Sequence, residues 1–383
     1  MVEKTETMTK SAMHSAEWKN AARSFARDHL VDKAQEWEMA GLLPESLHRE
    51  AAKAGLTLVM APEPFGPKLS YRNVGHIAEE LSAGFFPFAL ALISHNYLAW
   101  AILGDGNEKL RDRYLPQMKA GEIQGVFSLT EPQSGSDVAA IQTAAIRTSN
   151  GFLLNGEKAW ILRAESADFF GVYAQTNPGS GPKGIAMFLV EADLPGIRRF
   201  SFDLFAGQAF GMGGFTLKDV EVPESALLIE PGQALKSALS AIDVARATGA
   251  SICCGLLRRG LEEALSTTTQ RHAFGHAIGE FQGVQWMLAD VATDLEASRA
   301  LANVALEKLD NGEPASLYAA HAKKFASRAC LKGLVDCMQV MGANGAKTES
   351  VSSRHLGYAK LSQYLDGATE IQNVVISRHL YES

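Results

Sequence analysis

Between about Ile123 and Glu230 the hydrophobic periodicity of this chain changes from a helical repeat to short apolar runs, and after Pro231 it changes back. Helical patterns are thus confined to the two ends, and strands in the middle must pair among themselves. The middle runs include Phe152-Leu153-Leu154, Phe169-Phe170-Gly171-Val172-Tyr173 and Ile185 to Val190, punctuated by Asn155-Gly156, Asn177-Pro178-Gly179 and Pro195-Gly196. Strands without helices between them favour an antiparallel barrel or sandwich over a doubly wound sheet. From about Ser15 to Ala120 the pattern is helical, with breaks at Gly55, between Pro62 and Pro67, and at Gly104-Asp105-Gly106. After Pro231 the spacing predicts helices near 233–270, 280–310, 315–341 and 369–380.

The expected class is therefore α+β, in three domains. An N-terminal helical bundle occupies 1–122, a central β domain 123–231 and a C-terminal four-helix bundle 232–383. A chain of 383 residues is long enough for two or three such cores.

Composition removes several alternatives. Hydrophobic residues at 46% and charged residues at 21% are those of a folded protein. A net charge of −7 lacks the basic excess that a phosphate backbone requires, so no nucleic-acid partner is expected. The pairs Arg198-Arg199, Arg258-Arg259 and Lys323-Lys324 read as solvated faces. Cys253, Cys254, Cys330 and Cys337 contain no C-x-x-C pair and read as reduced core residues, with no metal site expected. The first twenty residues hold no apolar signal core, and no stretch approaches the run of about 18 apolar residues that spans a bilayer. A cytoplasmic location is the default expectation.

The segment Phe127-Ser128-Leu129-Thr130-Glu131-Pro132-Gln133-Ser134-Gly135-Ser136-Asp137 sits where helix gives way to strand. It offers backbone N–H groups and hydroxyls in one loop, which can hold a ring edge and a pyrophosphate without cationic side chains. A plain turn rich in Ser and Gly has the same composition.

This loop resembles the L-T-E-P-x-A-G-S-D signature of the acyl-CoA dehydrogenase family, and further matches follow in the family's order. Leu154-Asn155-Gly156-Glu157-Lys158-Ala159-Trp160-Ile161 is similar to its L-N-G-x-K-x-W-I segment, and Arg271-His272-Ala273-Phe274-Gly275 with Gln282 to its R-x-x-F-G…Q segment. Gln339-Val340-Met341-Gly342 resembles Q-x-x-G-G, and Asp366-Gly367-Ala368-Thr369-Glu370-Ile371-Gln372 resembles E-G-T-x-E-I-Q. The resemblance covers nearly the whole chain. It implies a helical, β-barrel, helical architecture, an FAD cofactor and a homotetramer or homodimer. The substrate implied is acyl-CoA or an acyl group on an acyl carrier protein, and the electron acceptor an electron-transfer flavoprotein or another acceptor. It further implies that Phe127, Leu129, Thr130 and Ser136 line the flavin and pyrophosphate and that Trp160 covers the isoalloxazine. Arg271, Phe274, Gln282, Gln339 and Gly342 are implied to reach the FAD of a neighbouring subunit.

In that family a glutamate removes the proton α to the thioester carbonyl while the β-hydrogen leaves as hydride to flavin N5. The last motif places Asp366 there, one methylene shorter, a loss of roughly 1.5 Å in reach that could cost about a hundredfold without backbone compensation. The competing reading makes Asp366 only a turn or helix-cap residue. Family members that carry the base on the helix after the β domain leave no second candidate, because the matching stretch Asp243-Val244-Ala245-Arg246 has Ala245 at that position. Asp243, Arg246 and Gly367 are implied substrate contacts, although Asp243 and Arg246 also fit a surface i,i+3 pair. Leu162 stands where a Thr or Ser usually lies near N5, Ala368 replaces the Thr of E-G-T, and Gly357-Tyr358 replaces a common Arg-Asp pair. The expected function is FAD-dependent oxidation of an acyl thioester to its α,β-unsaturated form. The alternatives are a dehydrogenase of carrier-bound acyl groups, a flavin oxidase or monooxygenase on the same scaffold, and a non-enzymatic paralogue.

Overall fold

The alternation of periods becomes helices, strands and helices in the computed structural model, which describes residues 16–382. The first helices are α1 (16–25), α2 (Ala34–Ala40), α3 (Ser46–Lys53), α4 (Tyr71–Gly84), α5 (Phe86–Asp105) and α6 (Glu108–Lys119). Strands β1 (Gly125–Ser128), β2 (Ala144–Arg147), β3 (Gly151–Ile161), β4 (Phe169–Gln175), β5 (Ile185–Glu191), β6 (Ile197–Ser201), β7 (Gly213–Pro223) and β8 (Leu227–Ile229) follow. The chain closes with α7 (Ala234–Gln270), the hairpin β9 (His272–Ala273) and β10 (His276–Ala277), α8 (Gln282–Asp310), α9 (Ser316–Met341), α10 (Val351–Ser362) and α11 (Thr369–Glu382). Two compact units result: one combines residues up to Glu36, Ser70–Leu90 and residues from Asp243 on, and the other Trp37–Leu69 with Ala91–Ile242.

The second unit is organised by one eight-stranded sheet in the order β6-β7-β3-β2-β4-β5-β8, with β1 on β4. It stays open. Among the described strands the ends β6 and β8 do not pair, and β1 and β2 both meet β4 in parallel, so the barrel of the sequence reading is an open mixed sheet here. A parallel neighbour must arrive by a crossover instead of a hairpin, which explains the break from simple antiparallel order. β4 is buried on both faces, which explains its unbroken apolar run: Phe169 and Tyr173 join a core with Leu98 and Leu115 of the flanking helices, and Phe170 and Val172 join Phe188 and Phe215 on the other side. β3 pairs with β7 over its whole length, with irregularities after Leu154 and Ala159.

In the first unit α4 packs against α8 through Gly75, where a Cβ would come within 2.5 Å of Leu306 Cδ1. Glu79 and Glu80 on α4 are buried and tied to cations: Arg299 Nη2 lies 2.6 Å from Glu79 Oε1, and Arg258 Nη2 lies 2.9 Å from Glu80 Oε2. Arg258 is therefore a bridging residue, not part of a solvated face.

Three further expectations are corrected. Five long helices follow the sheet, since α10 joins the four read from periodicity. Lys323 is 2% exposed, because it falls on the buried stripe of α9 with Ala319, Ala326 and Cys330. Helices α5 and α7 are long and apolar enough to cross a membrane, although 67% and 61% of their most apolar windows are buried within the protein, as in core helices of a folded domain. All four cysteines are buried and free.

Candidate active site

The loop after β1 is fastened by its own acid. Glu131 Oε1 accepts from Lys158 Nζ at 2.8 Å and from the Thr143 N–H at 2.9 Å, and Oε2 accepts from the Gln142 N–H at 2.6 Å. Lys158 also donates to the Leu129 carbonyl at 3.1 Å. Burial opposes the charge on Glu131, but Lys158 and the Gln142 N–H outweigh it and hold the carboxyl below its ordinary range. Burial pushes the Lys158 ammonium down to about 8 against the pull of Glu131. These bonds use Glu131 as a structural clip and leave Thr130 half-buried and Ser136 exposed. The Ser128 hydroxyl is buried with no hydrogen-bond partner.

The Ala159 N–H donates to the Thr130 carbonyl at 3.0 Å, which brings the loop beside Trp160. At the second irregularity of β3, Trp160 takes φ 59°, a left-handed conformation that is strained for a bulky residue. The twist turns the indole out of the sheet, 57% exposed and 4.7 Å from the Phe202 ring. Phe127 stacks on Tyr173 at 6.4 Å, Leu129 packs against the same core, and Leu162 is half-buried. An exposed indole held in a strained conformation, beside a loop that carries the Thr130 and Ser136 hydroxyls, suits a flat ring system with a polar edge, and so fits a flavin.

In the helical unit Asp366 has φ 53° and lies half-buried three residues before α11, so it is not that helix's capping residue. Arg246 Nε donates to its carbonyl at 3.1 Å, and Arg246 Nη1 donates to Asp243 Oδ1 at 3.0 Å. Gly367, at φ 90°, has space for no side chain without strain: a Cβ there would sit 3.3 Å from Arg246 Nη2. The expected residues Asp243, Arg246, Asp366 and Gly367 thus form one cluster, with Ala368 half-buried beside it. Arg246 is buried, which removes the surface-pair reading of its bond to Asp243. Burial raises the Asp366 carboxyl above its ordinary value, and Lys323 and Arg246 oppose that rise. Asp243 is also raised by burial.

Phe274, at the tip of the β9–β10 hairpin, is 93% exposed with φ 55°. Arg271, Gln282, Gln339 and Gly342 are likewise exposed. Arg271 Nη1 donates to the Met341 carbonyl at 3.4 Å, beside Gly342; among the described residues no side-chain hydrogen bond joins Gln282 to them. Glu131 and Lys158 carried no expected role, and Lys323 was expected on a solvated face. Glu131 and Lys158 lie within the segments 127–137 and 154–161, and the signal for Lys323 is a lysine in an apolar helical stripe. Among the described residues no cluster of His, Cys, Asp or Glu could hold a metal ion.

Three family models match the chain: acyl-CoA dehydrogenase N-terminal domain over 14–122, middle domain over 126–220 and C-terminal domain over 232–381. A curated acyl-CoA dehydrogenase of Bacillus subtilis (strain 168) is 33% identical over 365 residues, covering 94% of this chain and 95% of the relative. Among solved structures, butyryl-CoA dehydrogenase from Megasphaera elsdenii superposes with a TM-score of 0.92 at 28% identity, over 96% of this chain and 97% of the other. Glutaryl-CoA dehydrogenase from Mycobacterium smegmatis in complex with FADH2 gives 0.92 at 25% identity, over 97% and 95%.

Proposed function

The chain belongs to the acyl-CoA dehydrogenase family, and on that premise we propose that Asp366 is the base with which it oxidises an acyl-CoA thioester. The protein is an FAD-dependent oxidoreductase acting on a CH–CH bond. When bound, FAD supplies the acceptor for the hydride that leaves the β-carbon.

The observation that carries this reading is the state of the Asp366 carboxylate. It is a carboxylate at the motif position, half-buried, with its backbone held by Arg246 and its pKa raised by burial. A raised pKa makes a carboxylate a stronger base, better matched to an α-proton. Its left-handed φ and the adjoining Gly367 fix the direction in which the shorter side chain leaves the backbone. Asp366 takes the α-proton onto a carboxylate oxygen, and the α,β double bond forms as hydride leaves the β-carbon. Arg246, fixed by Asp243, orients the turn.

In the same reading Phe127, Leu129, Thr130, Ser136, Trp160, Leu162 and Ala368 hold FAD. The Trp160 indole keeps water from one face of the ring, which protects hydride transfer. Arg271, Phe274, Gln282, Gln339 and Gly342 serve the FAD of a second copy in a homodimer or homotetramer. That role is supported by their exposure in the single chain. Asp243, Arg246 and Gly367 contact the substrate, an electron-transfer flavoprotein accepts the electrons, and the enzyme works in the cytoplasm.

The test is a panel of acyl-CoA thioesters added under nitrogen, scored by flavin bleaching and by mass of the product. Loss of two hydrogens from the acyl group, in step with bleaching, supports the reading. Bleaching without an enoyl product overturns it.

A further inference from the structure

Lys323 has no surface exposure to explain its charge. It sits on the buried stripe of α9, 2% exposed, and its Nζ has no hydrogen-bond partner. An apolar side chain of similar length would fill this position without the cost of a buried ammonium. The carboxylate that acts on that charge is Asp366. A methyl group on Gly249 of α7 would lie 3.8 Å from Asp366 Oδ2 and 3.9 Å from Lys323 Cδ, so both side chains converge on the gap that this glycine leaves.

The groups around them are few. From α7 come Arg246, already engaged with Asp243 and with the Asp366 carbonyl, and the Cys253 thiol. From α9 come Lys323 itself and Cys330, which is hydrogen-bonded to Cys253. The two cations acting on the Asp366 carboxylate are Lys323 and Arg246, with Lys323 the larger. Arg246 divides its charge with Asp243, whereas Lys323 has no hydrogen-bonded counter-ion.

We propose that Lys323 is a positioning residue for Asp366, whose buried ammonium, acting past Gly249, keeps the shortened carboxylate ionised and drawn toward α9 before substrate arrives. The inference rests on the reading of Asp366 as the base. A base must be deprotonated to accept the α-proton, so activity falls as pH drops through the Asp366 pKa. Removing the neighbouring positive charge raises that pKa and moves the acidic limb of the profile to higher pH.

The experiment measures the rate of anaerobic flavin reduction against pH for the wild-type flavoprotein and for Lys323→Met, Lys323→Arg and Asp366→Asn. Lys323→Met is expected to shift the acidic limb upward by about one pH unit or more, with the rate recovering at alkaline pH and FAD content unchanged. Lys323→Arg is expected to return the limb close to the wild-type position. If Lys323→Met yields no folded flavoprotein, Lys323→Gln gives the same reading with a polar neutral side chain. An unshifted limb in the neutral variant, with Asp366→Asn inactive, overturns the role of Lys323 alone. Full activity in Asp366→Asn overturns the base assignment itself.

Discussion

Lys158 Nζ lies 2.8 Å from Glu131 Oε1 with both side chains buried, so one ion pair fastens the loop after β1 to the strand that carries Trp160. Removing Glu131 leaves the Lys158 amine buried without its counter-charge. Glu131→Gln is expected to destabilise the protein by about 3–5 kcal/mol in chemical denaturation and to lower the FAD content of the purified protein. The paired change Glu131→Gln with Lys158→Met is expected to cost less than Glu131→Gln alone, because no unpaired buried amine remains and the amide oxygen still accepts from one of the Gln142 and Thr143 N–H groups. A loss below about 1 kcal/mol for Glu131→Gln would show that the pair does not hold the loop.

Trp160 is largely exposed and sits at a positive φ, so little of the fold depends on its ring. Trp160→Ala is expected to change stability by no more than about 1 kcal/mol. It is expected to weaken FAD binding by about tenfold, the value of one aromatic stacking contact. Equilibrium titration of the apoprotein with FAD reads this. Unchanged affinity would make the indole an incidental surface ring.

His95 on α5 is buried, with one ring nitrogen 3.0 Å from the Met118 carbonyl. Burial, only partly offset by that bond, holds its pKa down to about 4. An unfolded histidine titrates near 6.5, so the stabilisation is complete above about pH 6.5 and is lost as pH falls toward 4, by about 3 kcal/mol in all. His355, held at about 3 by burial, acts in the same direction. Unfolding free energies measured from pH 8 to 4 are expected to fall across this window, and His95→Gln to flatten the fall. An equal slope in the variant would contradict the assignment.

Much of this was legible in the sequence for identifiable reasons. The unbroken run Phe169 to Tyr173 marks a strand buried on both faces, and the signature loop stands where β1 ends. α10 was not legible, because Gly357 and the serines of Val351–Ser362 blur its amphipathic pattern. Nor was the open edge of the sheet, since pairing direction depends on contacts distant in sequence. The buried state of Lys323 was masked by its neighbour Lys324, which made a single core position read as a charged pair. The turned-out Trp160 follows from a register irregularity between β3 and β7 that spacing alone does not reveal.

The central claim is that Asp366 removes the α-proton, and rapid mixing of the Asp366→Asn flavoprotein with a thioester that bleaches the wild type tests it most directly. The expected result is retained FAD with flavin reduction slowed by at least about a hundredfold, the lower end for loss of a general base. Bleaching at the wild-type rate would contradict the account and move the base to another group.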